Sequence, residues 1–136
     1  MYVESLIEIR DLEPALRRGW TYPKTTRPWD KRPLAKPAVL AGLKVMKARL
    51  PRIVAAGVEQ VGAQAIWVYH PIVSEALVRK ARELGVELIA WTVDDAARVA
   101  ELRELGVDGI VSNDPRLLAP QPDAQDVYPA VPDGFR

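Results

Sequence analysis

Four side chains that could bind or transform a ligand lie at or just after the ends of predicted strands: Lys24, Tyr69, His70 and Trp91. A histidine titrates near neutral pH and could act as an acid or a base, and a lysine can meet a phosphate as a point charge. Enzymes with parallel strands place their pockets at the carboxyl ends of those strands, so we predict a pocket lined by these residues. A surface or capping role for His70, a solvated Lys24 and a core position for Trp91 are the competing interpretations.

The acidic residues at the strand ends are too few to hold a metal ion. A divalent cation usually needs two or three convergent carboxylates, and Asp94 and Asp114 are the acids that follow predicted strands. The chain has no cysteine, which excludes disulfides and thiolate metal ligands. We therefore predict no metal ligand and assign no catalytic residue in this chain, and we expect Asn113 to serve the turn after its strand.

The elements that must position these side chains include a repeated unit. The hexapeptide RELGVE at residues 82–87 recurs as RELGVD at residues 103–108, with a period of 21 residues. Each copy ends a helical pattern at a glycine suited to the left-handed cap position. The apolar runs that follow, Leu88 to Val93 and Gly109 to Ser112, predict strands covered on both faces, as in a parallel sheet walled by helices.

The first part of the chain predicts one helix and two more strands. Apolar residues at three- and four-residue spacings favour a helix from Glu4 to Arg18, which Pro14 must end or kink. A weak strand-like alternation over residues 5–10 is the alternative. Strands are predicted at residues 19–22 and 65–69, where β-forming residues are bounded by glycine and proline.

Three further helical patterns lie between and after these strands. The first follows Pro37 as far as Pro51 and continues as a second helical piece from Ile53 to Val61. Ser74 is a predicted N-cap of the next helix, and Asp94 or Asp95 is the predicted N-cap of the last one.

Strands that alternate with helices make four βα units, which match half of an eight-stranded barrel. We predict an α/β fold in which residues 1–118 form the last four units of a partial (βα)8 TIM barrel. Residues 119–136 are predicted to form a disordered, proline-rich C-terminal tail. An open half-barrel would leave two strand edges unpaired and one sheet face uncovered. A missing N-terminal half, a second copy of the chain or a rearranged open sheet must then cover them.

Two segments carry a resemblance to a known family: GVELIAWTVD at residues 85–94 and GVDGIVSNDP at residues 106–115. They resemble the C-terminal end of glycerophosphodiester phosphodiesterases, in which a strand ending Trp-Thr-Val-Asn or Trp-Thr-Val-Asp precedes a helix and a final strand leads to a proline. The resemblance implies a TIM barrel that hydrolyses glycerophosphodiesters to an alcohol and glycerol 3-phosphate, with a divalent cation, Mg²⁺ or Ca²⁺, in the complete enzyme. It also implies that Trp91 walls the pocket against the apolar side of a glycerol or alcohol moiety.

The sequence departs from this family in the metal-binding and catalytic cluster. Family members carry His-Arg-Gly, Glu-x-Asp and His-Asp motifs in their first half, and none of the three occurs here. We therefore expect the chain alone to bind no cation, and whether it is an enzyme by itself stays open. The alternative function is a non-catalytic half-barrel for binding or assembly, and an enzyme of another phosphate-handling barrel family is supported by fold analogy alone.

Charge and hydropathy bear on partners and location. A net charge of +1, from 19 basic and 18 acidic residues, favours no nucleic-acid partner. No apolar run approaches the roughly 20 residues that cross a bilayer, the N-terminus lacks the features of a signal peptide, and the absence of cysteine fits a cytoplasmic protein. The basic loop from Pro23 to Pro37 is predicted to be a solvated connection, with a lid or a surface for anionic headgroups as the alternative.

Overall fold

A computed structural model describes residues 3–23 and 36–118 of the chain. Within them, four parallel strands alternate with helices, and neighbouring strands follow one another in chain order across one sheet. The α/β class predicted from the sequence is therefore confirmed. The strands are β1 (Gly19–Tyr22), β2 (Ala65–Tyr69), β3 (Glu87–Trp91) and β4 (Gly109–Ile110), and the helices are α1 (Val3–Leu12), α2 (Lys36–Val61), α3 (Glu75–Leu84) and α4 (Ala96–Leu105).

Two short 3-10 turns complete the described structure, at His70–Ile72 after β2 and at Pro115–Leu118 after β4. Lys24, the rest of the basic loop as far as residue 35, and the predicted tail at residues 119–136 lie outside the described residues. The division at residue 118 therefore stays a prediction. No helix within the described ranges is both long enough and apolar enough to cross a membrane.

The helix ends follow the local sequence signals. Ser74 caps α3 by accepting a hydrogen bond from the backbone N–H of Leu77 at 3.3 Å. Of the two aspartates that could cap α4, Asp95 does so by accepting from the N–H of Arg98 at 2.8 Å. Gly85 and Gly106 end α3 and α4 in the left-handed region, with φ of 66° and 79°. That conformation is available to glycine at little steric cost, which explains the repeated hexapeptide.

Pro14 has an effect that the sequence predicted, whereas Pro51 does not. Helix α1 is confirmed as a helix and ends at Leu12, because the residue before Pro14 is disfavoured in helical conformation. Helix α2 runs as one element through Pro51, so the predicted division into two pieces is wrong. Leu50 and Val54 on either side of Pro51 are both fully buried in the core, and this packing outweighs the local cost of the missing N–H.

The core lies between the helices and one face of the sheet, here called the outer face. On β2 and β3 this face carries Ile66, Val68, Leu88 and Ala90, all of which are buried. Full burial of an aliphatic side chain contributes about 1.5–3 kcal/mol, so this layer is one substantial part of the hydrophobic stabilisation. The other fully buried large side chains belong to the same cluster: Leu50, Val54, Val61, Ile72, Val73, Leu77, Val93 and Leu102.

The opposite face of the sheet, here called the inner face, is open in the described structure. Trp67 on β2 is 37% exposed, and its register partner Ile89 on β3 is half-buried. A shallow groove of about 510 Å³ crosses this face near the amino ends of the strands, between Arg17, Thr21 and Glu87. Within the described residues the helices pack on the outer face, so the predicted cover of the second strand face is not supplied by this part of the chain. The uncovered sheet face expected of a half-barrel is present.

Arg18 ties the start of β1 to the end of α2. Its side chain is buried, and its guanidinium donates to the carbonyls of Leu16 at 2.8 Å, Val61 at 3.2 Å and Gly62 at 3.3 Å. A cation at the C-terminal end of a helix also interacts favourably with the helix dipole. This contact fixes the position of β1 beside β2.

Candidate functional site

Three of the four predicted pocket residues meet at the carboxyl ends of β2 and β3. Tyr69 and Trp91 are register partners at the last positions of their strands, and His70 directly follows Tyr69. The ring centroid of Tyr69 lies 5.3 Å from that of His70 and 6.0 Å from that of Trp91. We call these three residues the aromatic cluster. Lys24, the fourth predicted residue, lies outside the described residues.

Two buried nitrogen atoms of the aromatic cluster have no hydrogen-bond partner among the described residues: His70 Nδ1 and Trp91 Nε1. A buried polar group left unpaired costs about 1–3 kcal/mol, so such groups are usually paired in a native structure. The indole N–H can only donate, whereas Nδ1 of a neutral imidazole donates or accepts according to its tautomer. The cluster therefore contains one donor and one adjustable group beside aromatic surface, and both are buried in the described structure.

The surroundings of His70 favour its neutral form. Burial is the larger cause and the charge of Arg98 the next, and together they lower the pKa of His70 from 6.5. Arg98 is held in place because it donates to the carbonyl oxygen of His70 and pairs with Glu101 at 2.6 Å. At neutral pH His70 is consequently uncharged and available for hydrogen bonding rather than for binding an anion by charge.

Asp94 joins the end of β3 to the loop after β4. Its carboxylate accepts from the Ser112 hydroxyl at 3.0 Å and from the backbone and side-chain N–H groups of Asn113, both at 2.8 Å. The hydrogen bonds from Asn113 are the main reason that the pKa of Asp94 is lowered. Asp94 thus holds the loop after β3 to the loop after β4. Asn113 has the structural role in this loop that its position after a strand predicted.

Asp114 is also engaged within the chain. Arg116 donates to its two carboxylate oxygens from Nε at 2.8 Å and from Nη2 at 2.7 Å, and these hydrogen bonds lower the pKa of Asp114. The backbone N–H of Arg116 donates a third hydrogen bond to the Asp114 carboxylate at 3.1 Å. Both acids that follow strands therefore use their oxygens to order the chain itself.

Residues 5–117 match the sequence model of the glycerophosphoryl diester phosphodiesterase family. The chain belongs to this family. A stretch of 57 residues, 42% of the chain, is 46% identical to glycerophosphodiester phosphodiesterase GDPD4 of Arabidopsis thaliana, of which it covers 17%. The resemblance seen in the two segments ending at Asp94 and Pro115 is therefore confirmed.

Solved structures of family members share the fold. A Silicibacter pomeroyi protein assigned as a glycerophosphoryl diester phosphodiesterase matches 85% of the chain with a TM-score of 0.57 and 26% identity. Two further structures, each 16% identical, show the same fold: an Oleispira antarctica phosphodiesterase in complex with the product sn-glycerol-3-phosphate, with a TM-score of 0.52, and a Parabacteroides distasonis glycerophosphodiester phosphodiesterase, with a TM-score of 0.54. The chain spans 33–36% of these three chains.

The described residues do not fit the divalent cation that the family resemblance implies. Within residues 3–23 and 36–118, no group of three or more His, Asp or Glu side chains is placed to hold a metal ion. The carboxylates of Asp94 and Asp114 are already engaged within the chain, since they accept hydrogen bonds from Asn113 and Arg116. We therefore derive no catalytic step through a metal for this part of the chain.

Sequence reasoning missed the residues that organise the site. Asp94 was considered as an N-cap, yet it pairs with Ser112 and Asn113, which lie 18 and 19 residues away. Asp94 directly follows β3, and a polar segment directly follows the neighbouring β4. This contact could have been predicted from those two positions. Arg98 gave no such signal, because its contact with the carbonyl of His70 depends on how α4 lies relative to the turn after β2.

Proposed function

We propose that this chain is the C-terminal half-barrel of a hydrolase that converts a glycerophosphodiester and water to an alcohol and glycerol 3-phosphate. The metal-binding and catalytic cluster then belongs to a part that this chain does not contain. The observation that carries the proposal is the aromatic cluster, whose buried His70 Nδ1 and Trp91 Nε1 lack partners at the carboxyl ends of the strands. Parallel-barrel enzymes bind their substrates at this end of the sheet.

In the proposed reaction the cluster binds and orients the substrate. The ring of Trp91 packs against the apolar side of the glycerol or alcohol moiety, and its indole N–H donates to a substrate oxygen. Neutral His70 supplies a second hydrogen bond, and Tyr69 keeps the two rings apart by contacting both. Lys24 contributes a positive charge toward the phosphate; its position is a prediction from the sequence alone.

The open inner face is part of the proposal, because a pocket at the strand ends needs a second wall. We propose that a missing N-terminal half, whose strands pair with the edges of β1 and β4, covers Trp67 and Ile89. The solved relatives support this partner, because the chain covers only 33–36% of each of them. A second copy of the chain is the other candidate, and analytical ultracentrifugation of the isolated chain distinguishes it by a stable dimer.

The test is a chimera in which this chain follows the N-terminal half of the Silicibacter pomeroyi relative. We expect the folded chimera to release glycerol 3-phosphate from a glycerophosphodiester in the presence of Mg²⁺ or Ca²⁺, and the isolated chain to release none. Trp91→Ala should raise the KM of the chimera about tenfold, the usual effect of losing an apolar contact in a pocket. Trp67→Phe on the same sheet face, away from the strand ends, is the control and should leave KM unchanged.

Two results would contradict the proposal in different ways. Rapid cation-dependent turnover by the isolated chain would show that the account of missing metal ligands is wrong. A folded chimera without activity would instead favour the alternative function, a non-catalytic half-barrel for binding or assembly. The internal hydrogen bonds that occupy Asp94 and Asp114 are the observation that supports this alternative.

The proposed location is the cytoplasm. It is supported by the absence of cysteine, since secreted domains of this size often rely on disulfides. Fractionation of the source cells with an antibody against the chain would test it, and recovery in a secreted fraction would contradict it.

A further inference from the structure

One segment of the chain carries basic residues without any acidic ones. Residues 31–58 contain seven lysines and arginines and not one aspartate or glutamate, whereas the whole chain balances 19 basic against 18 acidic residues. The near-neutral total therefore hides a strongly basic segment in an otherwise acidic chain. Most of this segment is helix α2, whose side chains are described from residue 40 onward.

The cations of α2 are exposed and available. Lys44, Lys47, Arg49 and Arg52 all point into solvent, and in the described part of the chain none of them forms an ion pair. Lys47 lies near enough to Glu101 to act on it: the pKa of Glu101 is lowered chiefly by its hydrogen bond with Arg98 and to a smaller extent by Lys47.

Large apolar side chains are interleaved with these cations. Leu40, Val45 and Ile53 are 60%, 53% and 42% exposed, and they are half of the six exposed large apolar residues in the described structure. We call the surface formed by these three residues and the four cations the α2 basic face. An exposed surface that combines apolar side chains with one sign of charge is typical of an interaction site rather than of a solvated helix.

The α2 basic face lies on the exposed part of the α2 surface. The opposite side of α2 carries Leu50, Val54 and Val61, which are fully buried in the core. Strands that complete the barrel would cover the inner face of the sheet, which lies on the other side of that core. None of the described elements covers the α2 basic face, and strands that complete the barrel would lie on the other side of the core, so the inference does not rest on the proposed function.

We propose that the α2 basic face docks onto a bilayer surface that contains anionic phospholipids. The cations complement the negative surface potential of such a bilayer, and Leu40, Val45 and Ile53 gain from burial at the boundary between headgroups and acyl chains. Nucleic acid is the less suitable anionic partner. Residues 40–58 contain no aromatic side chain on which a base could stack, and exposed aliphatic side chains gain little against a phosphate backbone.

Vesicle binding of the full chain tests this proposal. We expect the chain to sediment with vesicles of phosphatidylcholine and phosphatidylglycerol at low salt, and to stay unbound with phosphatidylcholine alone. The triple variant Lys44→Gln, Arg49→Gln, Arg52→Gln should bind the anionic vesicles about a hundredfold more weakly, about fivefold for each cation removed. Raising the salt to about 1 M, where the Debye length is about 3 Å, should release the wild-type chain.

The matched control variant removes the same charge elsewhere. Arg79→Gln, Lys80→Gln, Arg103→Gln changes three cations of α3 and α4 and should bind the anionic vesicles as the wild type does. Equal loss in both triple variants would show a non-specific effect of net charge and would overturn the proposal. The proposal would also be overturned if the wild-type chain did not bind anionic vesicles, or if it bound a single-stranded oligonucleotide more tightly than vesicles. Circular dichroism establishes that each variant is folded before its binding is compared.

The apolar part of the α2 basic face has its own test. Val45→Ser, Ile53→Ser keeps every charge and should weaken binding to the anionic vesicles severalfold, because two exposed apolar side chains no longer enter the headgroup boundary. Unchanged binding by this variant would mean that the α2 basic face binds the vesicles by charge alone. It would contradict the insertion of these apolar side chains into the headgroup boundary.

Discussion

Two tryptophans on neighbouring strands show how differently the two sheet faces are completed. Trp20 on β1 faces the helices and is buried, and it packs so closely on α2 that a Cβ placed on Gly57 would lie 2.6 Å from its ring. Trp67 on β2 lies across Gly19 on the inner face, where more than a third of its surface stays exposed. The outer face is a finished core, whereas the inner face is shaped for contacts that the described residues do not supply.

This difference separates stability from function in the half-barrel. The helices and the outer face bury nearly all the large aliphatic side chains, so they supply the free energy of folding. The inner face and the strand ends carry the groups that lack partners, including Trp67 and the aromatic cluster. Substitutions on the two faces should therefore change the stability of the chain by different amounts, and three experiments test this difference.

The largest expected effect comes from neighbouring residues of β3 that point to opposite faces. Leu88→Ala on the outer face should lower the free energy of unfolding by about 2–5 kcal/mol, because it leaves a cavity in a packed core. Ile89→Ala on the inner face should lower it by less than half as much, since Ile89 is only half-buried. Urea unfolding followed by circular dichroism measures both values. Equal losses would mean that the inner face is covered in solution.

A smaller effect is expected from two glycines of α2. Gly57→Ala should destabilise the chain by about 1–3 kcal/mol, because its Cβ would overlap the Trp20 ring. Gly42→Ala should instead stabilise it by up to about 1 kcal/mol, since nothing lies within 4 Å of that Cβ and alanine favours helix. Thermal unfolding of both variants checks the sign of each change. A stabilised Gly57→Ala variant would contradict the close packing of Trp20.

The smallest expected effect is a pH dependence at the edge between the two faces. Because the pKa of His70 is lowered in the folded chain, the unfolded chain binds a proton more readily. The contribution of neutral His70 to the free energy of unfolding is fully present above pH 6.5, the pKa of the unfolded chain. It should be lost as the pH falls from 6.5 through the lower pKa of the folded chain. His70→Gln should flatten the stability profile in this window. A profile that stays the same in His70→Gln would assign the effect to other groups.

Local signals predicted most of the fold. The glycines at 85 and 106 and the serine at 74 act within one turn of their own helices, so the sequence nearby is enough to recognise them. The sequence predicts the strands from β-forming residues that are bounded by glycine and proline. Pro51 shows where local reasoning fails, because the burial of distant side chains keeps α2 continuous against a local penalty.

The candidate site could be predicted only in part. The positions of Tyr69, His70 and Trp91 follow from parallel strands whose carboxyl ends meet at one edge, so their proximity was predictable. The orientations that leave His70 Nδ1 and Trp91 Nε1 without partners were not, because they depend on side chains from other elements. The role of Asp94 likewise depends on a contact across two strands.

The sequence by itself determined the family, the order of strands and helices, and the caps that end those helices, since each depends on residues close together in the chain. The tertiary structure alone decided that one sheet face is packed while the other is open, that α2 passes through Pro51, and that Asp94 binds the loop after β4. These features arise from contacts between segments far apart in sequence, whose energies local patterns do not encode.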